Sequence, residues 1–128
     1  MSYRFIPTKV HGALDYIVAI ALIFAPMIFG FQSVGGAAVM VPMVLGIGLF
    51  LYSLLTDYEW GVIKVISMPY HLMIDIAAAV LLLLSPFIFG FNDEALNAWV
   101  PHVIVGIAVI LVVICSQRTP ATTDHMAM

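Results

Sequence analysis

Two histidines stand four residues ahead of two aspartates: His11 with Asp15, and His71 with Asp75. At this spacing on a helix each pair shares one face, so the carboxylate can accept from an imidazole nitrogen one turn away. Together the four side chains offer a nitrogen and oxygen donor set suited to zinc, iron or manganese. Two histidines on facing helices could also hold haem iron axially. The bland use of the same residues is structural, since a carboxylate is favoured near a helix amino terminus and a His–Asp pair can bond to a neighbouring helix as glue. No catalytic residues are expected. The chain has no nucleophile elbow, no phosphate loop and no Ser-His-Asp ordering, and His-x3-Asp is a much weaker signal than HExxH. Cys115 is the only cysteine, so neither an intrachain disulfide nor a thiolate cluster can form.

The elements that must position these pairs come from a duplication. His11 through Phe31 and His71 through Phe91 share 9 of 21 positions at an offset of 60, the mark of an internal repeat. Both copies keep His-x3-Asp, ten residues, then Pro-x2-Phe-Gly-Phe: Pro26, Phe29, Gly30 and Phe31 in the first, Pro86, Phe89, Gly90 and Phe91 in the second. Proline removes a donor and glycine can take the left-handed cap, so this structural motif reads as a helix terminator with a phenylalanine plug. A second apolar run follows each copy, with Pro42 then Gly46, and Pro101 then Gly106.

With 64% hydrophobic and 9% charged residues in 128, too little polar surface remains to cover a soluble core. The bilayer is the expected solvent and the first partner. Crossing roughly 30 Å of hydrocarbon takes about 20 apolar residues in a helix, and four spans follow: about Val10–Gly30, Gly36–Leu55, Tyr70–Gly90 and Ala98–Ser116. The predicted fold is an all-α membrane protein, four transmembrane helices arranged as two tandem parallel helix-hairpin repeats. One integral membrane domain is expected over 1–128, with repeat 1 at about 6–56, repeat 2 at about 66–116, an interfacial connection at 57–69 and a short tail at 117–128, disordered from Thr119 to Met128. The first span is long, contains Pro26 and has no convincing cleavage site after it, so it reads as retained and not as a signal peptide.

Arg4, Lys9, Lys64 and Arg118 are the only basic residues, and all fall on one side of this topology. Short loops rich in Lys and Arg stay in the cytoplasm, which predicts cytoplasmic termini. Tyr58 and Trp60, and Trp99 on the opposite side, are assigned to the aromatic belts. His102, near the outer end of the fourth span, has no histidine in register in the first repeat and is assigned to the interface. Small residues such as Gly46, Gly48, Gly106 and Ala77 to Ala79 suit close helix packing, within the chain, in a homo-oligomer or against another membrane protein. Nucleic acid is not an expected partner, and the absence of Lys and Arg inside the spans argues against an anionic substrate there.

The pattern of His-x3-Asp, a proline motif closing the first span, Gly-Phe and a glycine-bearing second span, all repeated, resembles the SPW-repeat family of small prokaryotic integral membrane proteins. The family is named for Ser-Pro-Trp; here the copies read Ser85-Pro86-Phe87 and Ala25-Pro26-Met27. The resemblance covers about Ile6 to Ser116 and implies a four-span protein of the bacterial inner membrane; it implies no activity. Two readings follow: a non-enzymatic membrane protein serving assembly or partner binding, without a cofactor, or a metal- or haem-binding redox or proton-handling protein built on the two pairs.

Overall fold

The computed structural model describes residues 3–120, and these form four helices: α1 (Thr8–Ile28), α2 (Gly36–Leu54), α3 (Met68–Ile88) and α4 (Leu96–Ile114). All four are long and apolar enough to cross a membrane. Each bound lies within two residues of the span read from the sequence, because the apolar runs and the helices are ended by the same turn residues. Of the tail expected at 117–128, residues 121–128 lie outside the described residues, and Gln117 is tied back by its N–H to the Ile6 carbonyl at 2.9 Å. Large apolar side chains such as Ile17, Phe24, Ile47 and Leu111 are exposed on the helix exteriors, where lipid and not water is the fitting neighbour.

Each repeat is a helical hairpin. α1 packs along α2 and α3 along α4, and glycine sets how closely they approach. A Cβ on Gly46 would lie 2.7 Å from the Ala19 carbonyl oxygen, and one on Gly106 would lie 2.9 Å from that of Ala79. The two contacts are related by the offset of 60, so the duplication holds in packing as well as in letters.

Pro-x2-Phe-Gly-Phe ends α1 and α3 as a backbone motif. Gly30 (φ 73°) and Gly90 (φ 71°) take the left-handed conformation, and the N–H groups of Phe31 and Phe91 donate to the carbonyls of Pro26 and Pro86, both at 2.9 Å. That is a Schellman cap, which satisfies carbonyls the last turn leaves bare. Phe31 and Phe91 then fold inward and join Ala25, Ala38 and Ala98 in one apolar cluster. Phe29 and Phe89 stay exposed, so one phenylalanine of each motif is the plug.

At the opposite end the repeats close on each other. Ile66 donates to the Leu55 carbonyl at 2.8 Å and accepts from the N–H of Asp57 at 2.7 Å; Ile6 donates to the Cys115 carbonyl at 2.9 Å and accepts from Gln117 at 2.9 Å. The end of each hairpin is thus paired to the beginning of the other. Between the hairpins α2 packs against α3, whereas α1 and α4 do not pack along their lengths. Two apolar crevices occupy that open seam.

Candidate functional site

The four candidate ligands meet at the closed end. His11, Asp15, His71 and Asp75 are 2%, 6%, 0% and 3% exposed, and one nitrogen or oxygen of each lies within 4.8 Å of the other three. His11 Nε2 is 2.9 Å from Asp75 Oδ2 and 3.2 Å from Asp15 Oδ1. His71 Nε2 is 3.0 Å from Asp15 Oδ2 and 3.2 Å from Asp75 Oδ2. Nitrogen and oxygen therefore alternate around a small ring. The shorter contact of each histidine crosses to the other repeat, not to the aspartate one turn along its own helix. α1 and α3 meet through this ring without packing along their lengths.

Hydroxyl groups fix the histidine tautomers. Ser116 Oγ donates to the Val112 carbonyl at 2.5 Å and Thr56 Oγ1 to the Tyr52 carbonyl at 2.7 Å. A hydroxyl has one proton to give, so Ser116 must accept from His11 Nδ1–H at 2.7 Å and Thr56 from His71 Nδ1–H at 2.7 Å. Both Nε2 atoms consequently face the carboxylates. A bare Nε2 against a bare carboxylate would set two acceptors together, so each cross-repeat contact needs one proton. Two protons on two imidazoles and two carboxylates leave the ring neutral wherever the protons sit, which suits a site shielded from water.

Two tyrosines complete the shell. Tyr52 on α2 donates its hydroxyl to Asp75 Oδ1. Tyr58, in the connection between α2 and α3, donates to Asp15 Oδ2 at 2.7 Å; burial, with the Asp15 carboxylate adding to it, pushes its phenol well above the ordinary tyrosine range and keeps it a donor. Their rings flank His71, with centroids at 4.9 and 5.3 Å. His71 Nε2 is wholly buried, and its N–H axis meets no acceptor in hydrogen-bonding geometry, although two carboxylate oxygens lie beside it.

The sequence reading of Tyr58 as a belt residue is thus corrected. Trp60 Nε1 donates to the Lys9 carbonyl at 2.8 Å and Glu59 accepts from Thr8 Oγ1 at 2.8 Å, so the connection folds over the start of α1 and carries Tyr58 inward. Gly12 makes room for it, since a Cβ there would come within 2.5 Å of the Trp60 ring. Thr56 and Ser116 were missed, yet they stand at the same offset of 60 as the histidines they hold. Tyr52 and Tyr58 have no repeat mates, and nothing in the sequence marks them.

His102 is also corrected: it is buried and not interfacial. Its Nε2–H donates to the Ala38 carbonyl at 2.9 Å, and Phe31 and Phe91 stand on either side at 5.5 and 5.0 Å between centroids. Its Nδ1 has no partner. It belongs to the plug end of the fold and takes no part in the ring.

Comparison with known proteins adds a family and nothing finer. A family model described as the SPW repeat domain matches residues 9–116. No curated protein and no solved structure matches the chain.

Proposed function

The chain belongs to the SPW repeat family, and from that premise we propose a multi-pass membrane protein built around one divalent first-row metal ion, zinc in the first place, with iron and manganese as the alternatives. The ligands are His11 Nε2, His71 Nε2 and the carboxylates of Asp15 and Asp75. The observation that carries this reading is the alternating ring with sides of 2.9 to 3.2 Å. Tetrahedral ligands at about 2.0–2.2 Å from a single ion stand about 3.3–3.6 Å apart, so the sides of the ring have to open by a few tenths of an ångström while its diagonals, within 4.8 Å, close.

Three further features support it. A divalent ion replacing the two shared protons leaves the ring neutral. The Nδ1–H groups anchored on Ser116 and Thr56 are the kind of outer partner that fixes a ligating imidazole. The buried His71 Nε2 makes no hydrogen bond although two carboxylate oxygens lie beside it, and an ion held between them would give it a partner. The carboxylates stand beside both Nε2 atoms, where a porphyrin plane would have to pass, which favours a bare ion over haem.

Four protein ligands fill a tetrahedral zinc shell, and closed sites of that kind serve structure. The role we assign is accordingly non-enzymatic: the ion joins the two repeats, one histidine and one aspartate from each. The four Lys and Arg residues flank this end, which supports placing it at the cytoplasmic face of a bacterial inner membrane.

The test is metal binding by tag-free protein, stripped with a chelator and titrated with zinc. One ion per chain is the expected result, lost in His11→Gln and in His71→Gln alike. Because each ion displaces two protons, affinity should rise up to about a hundredfold per pH unit. Wild type that takes up no ion would overturn the proposal and leave the ring as a proton-filled clasp between the repeats.

A further inference from the structure

The repeats differ around the ring at two positions, Tyr52 and Tyr58, and the first of these differences leaves a cavity. Tyr52 on α2 corresponds, at the offset of 60, to Val112 on α4. Their backbones do the same work, since the Tyr52 carbonyl accepts from Thr56 and the Val112 carbonyl from Ser116. Their side chains do not. On the α2–α3 side the phenol of Tyr52 fills the crevice and reaches Asp75 Oδ1, leaving a cavity of about 30 Å³. On the α1–α4 side the corresponding cavity is about 300 Å³. The two are lined by matching residues: Asp15, Val105 and Val112 on one side answer to Asp75, Leu45 and Tyr52 on the other.

The acceptor that Tyr52 serves has a counterpart without a hydroxyl. Among the described residues no hydroxyl donates to Asp15 Oδ1, whose neighbour in the ring is His11 Nε2 at 3.2 Å. Asp15 thus borders the open crevice with acceptor capacity to spare, in a space that is apolar apart from the ring residues His11, Asp15 and Asp75 and is the size of a small-ligand site. No Lys or Arg lines it, which with two aspartates present disfavours a phosphate or carboxylate headgroup. The cavity reaches the exterior beside Ile104, a residue 60% exposed. Along the same seam it adjoins a second apolar cavity of about 130 Å³ that ends at His102 and shares Val18 and Val105 with it. From Val112 to His102 is ten residues of α4, about 15 Å, enough for a hydrocarbon tail.

We propose that the α1–α4 seam binds a lipid-soluble hydroquinone, its aromatic head in the place Tyr52 occupies on the other side, one hydroxyl donating to Asp15 Oδ1, and its tail lying between α1 and α4 toward His102. The internal template selects this class. The head must be aromatic to fill the space of the missing phenol, it must donate because it faces an acceptor, and it must be neutral and tailed to enter from lipid. The inference stands on the crevice and does not depend on what fills the ring.

The experiment uses purified protein in detergent, under reductant, titrated with decyl-hydroquinone, with its oxidised quinone and with its di-O-methyl ether, and read by calorimetry. Saturable one-to-one binding of the hydroquinone is expected, at least tenfold weaker for the quinone and for the ether, neither of which can donate. Val112→Tyr should place a phenol in the crevice, abolish binding and leave the melting temperature unchanged or higher, so loss of binding is not loss of fold. Ala108→Phe, on the same wall, should block the head without touching Asp15. Equal binding of the three compounds, or unchanged binding in Val112→Tyr, would overturn the proposal. So would displacement of the hydroquinone by phospholipid, or a change of oligomeric state in Val112→Tyr, which would make the seam an acyl-chain groove or an interface between copies.

Discussion

The two ends of this helix array both carry duplicated residues and use the duplication in opposite ways. At the ring end neither repeat finishes its own site: His11 leans on Asp75 and Ser116, and His71 on Asp15 and Thr56. At the plug end each Pro-x2-Phe-Gly-Phe finishes its own helix with its own glycine and its own carbonyl. The repeats meet there through apolar packing around His102 and through two side-chain bonds to carbonyls, His102 to Ala38 at 2.9 Å and Asn97 to Phe29 at 2.7 Å. A buried ionisable group needs a partner, and two copies of one helix can supply it mutually; a backbone cap is satisfied chiefly within a few residues, and the second copy adds to it only the Asn97 bond to the Phe29 carbonyl.

The largest effect that sharpens this contrast is expected at the ring. In metal-free protein, His11→Gln leaves a buried carboxylate short of its partner and should cost about 3 kcal/mol, the low end for breaking one member of a buried pair. His71→Gln should cost a similar amount, and the double mutant should fall well short of the sum because both histidines serve the same two carboxylates. Denaturant unfolding in micelles measures this, and strictly additive losses would break the comparison. Next comes the left-handed cap. Gly30→Ala should cost about 1–2 kcal/mol in backbone strain alone, since the nearest atom to the new Cβ is 4.0 Å away. Gly30→Ala with Gly90→Ala should give the sum; strong coupling between them would show that the caps are not independent. The smallest effect belongs to His102→Phe. It loses the bond to the Ala38 carbonyl, worth about 1 kcal/mol, but also removes the unpartnered Nδ1, so the net change should stay below about 1 kcal/mol in the same unfolding assay. A loss well above that would mean the repeats are held at the plug end by the His102 bond more than by apolar packing.

Much of this was legible in the sequence, for a physical reason. Apolar runs ended by glycine and proline mark helices whatever their neighbours, and a repeat read in letters carries its packing with it. Pro86 and Ser85 are buried, whereas Phe87 and Met27, which stand where the family's name has tryptophan, are 53% and 61% exposed. The departure from Ser-Pro-Trp thus falls on a side chain that asks only to be large and apolar. The candidate ligands were legible because ionisable residues inside spans are few. Which aspartate each histidine prefers was not, since i, i+4 spacing speaks only of one helix and the partner is set by how two helices meet. Tyr58 and His102 were misplaced for a common reason: both lie near helix ends, where amphipathic residues usually find the membrane surface, and both are instead drawn inward by one specific acceptor, Asp15 and the Ala38 carbonyl.

The reciprocal pairing of Ile6 with Ser116 and of Ile66 with Thr56 has a consequence for chain order. The path through the molecule is a closed circuit: hairpin, junction, hairpin, junction. A circular permutant opened within the connection at 57–65, and joined instead across from Gln117 to Phe5, would trace the same helices in the same places with the repeats exchanged. Such a chain would keep His11, Asp15, His71 and Asp75 and their hydroxyl anchors, because none of them depends on which hairpin is made first. It would lose the covalent link between the halves, the segment that brings Tyr58 to Asp15, and keep the other mark of their difference, Tyr52 on Asp75.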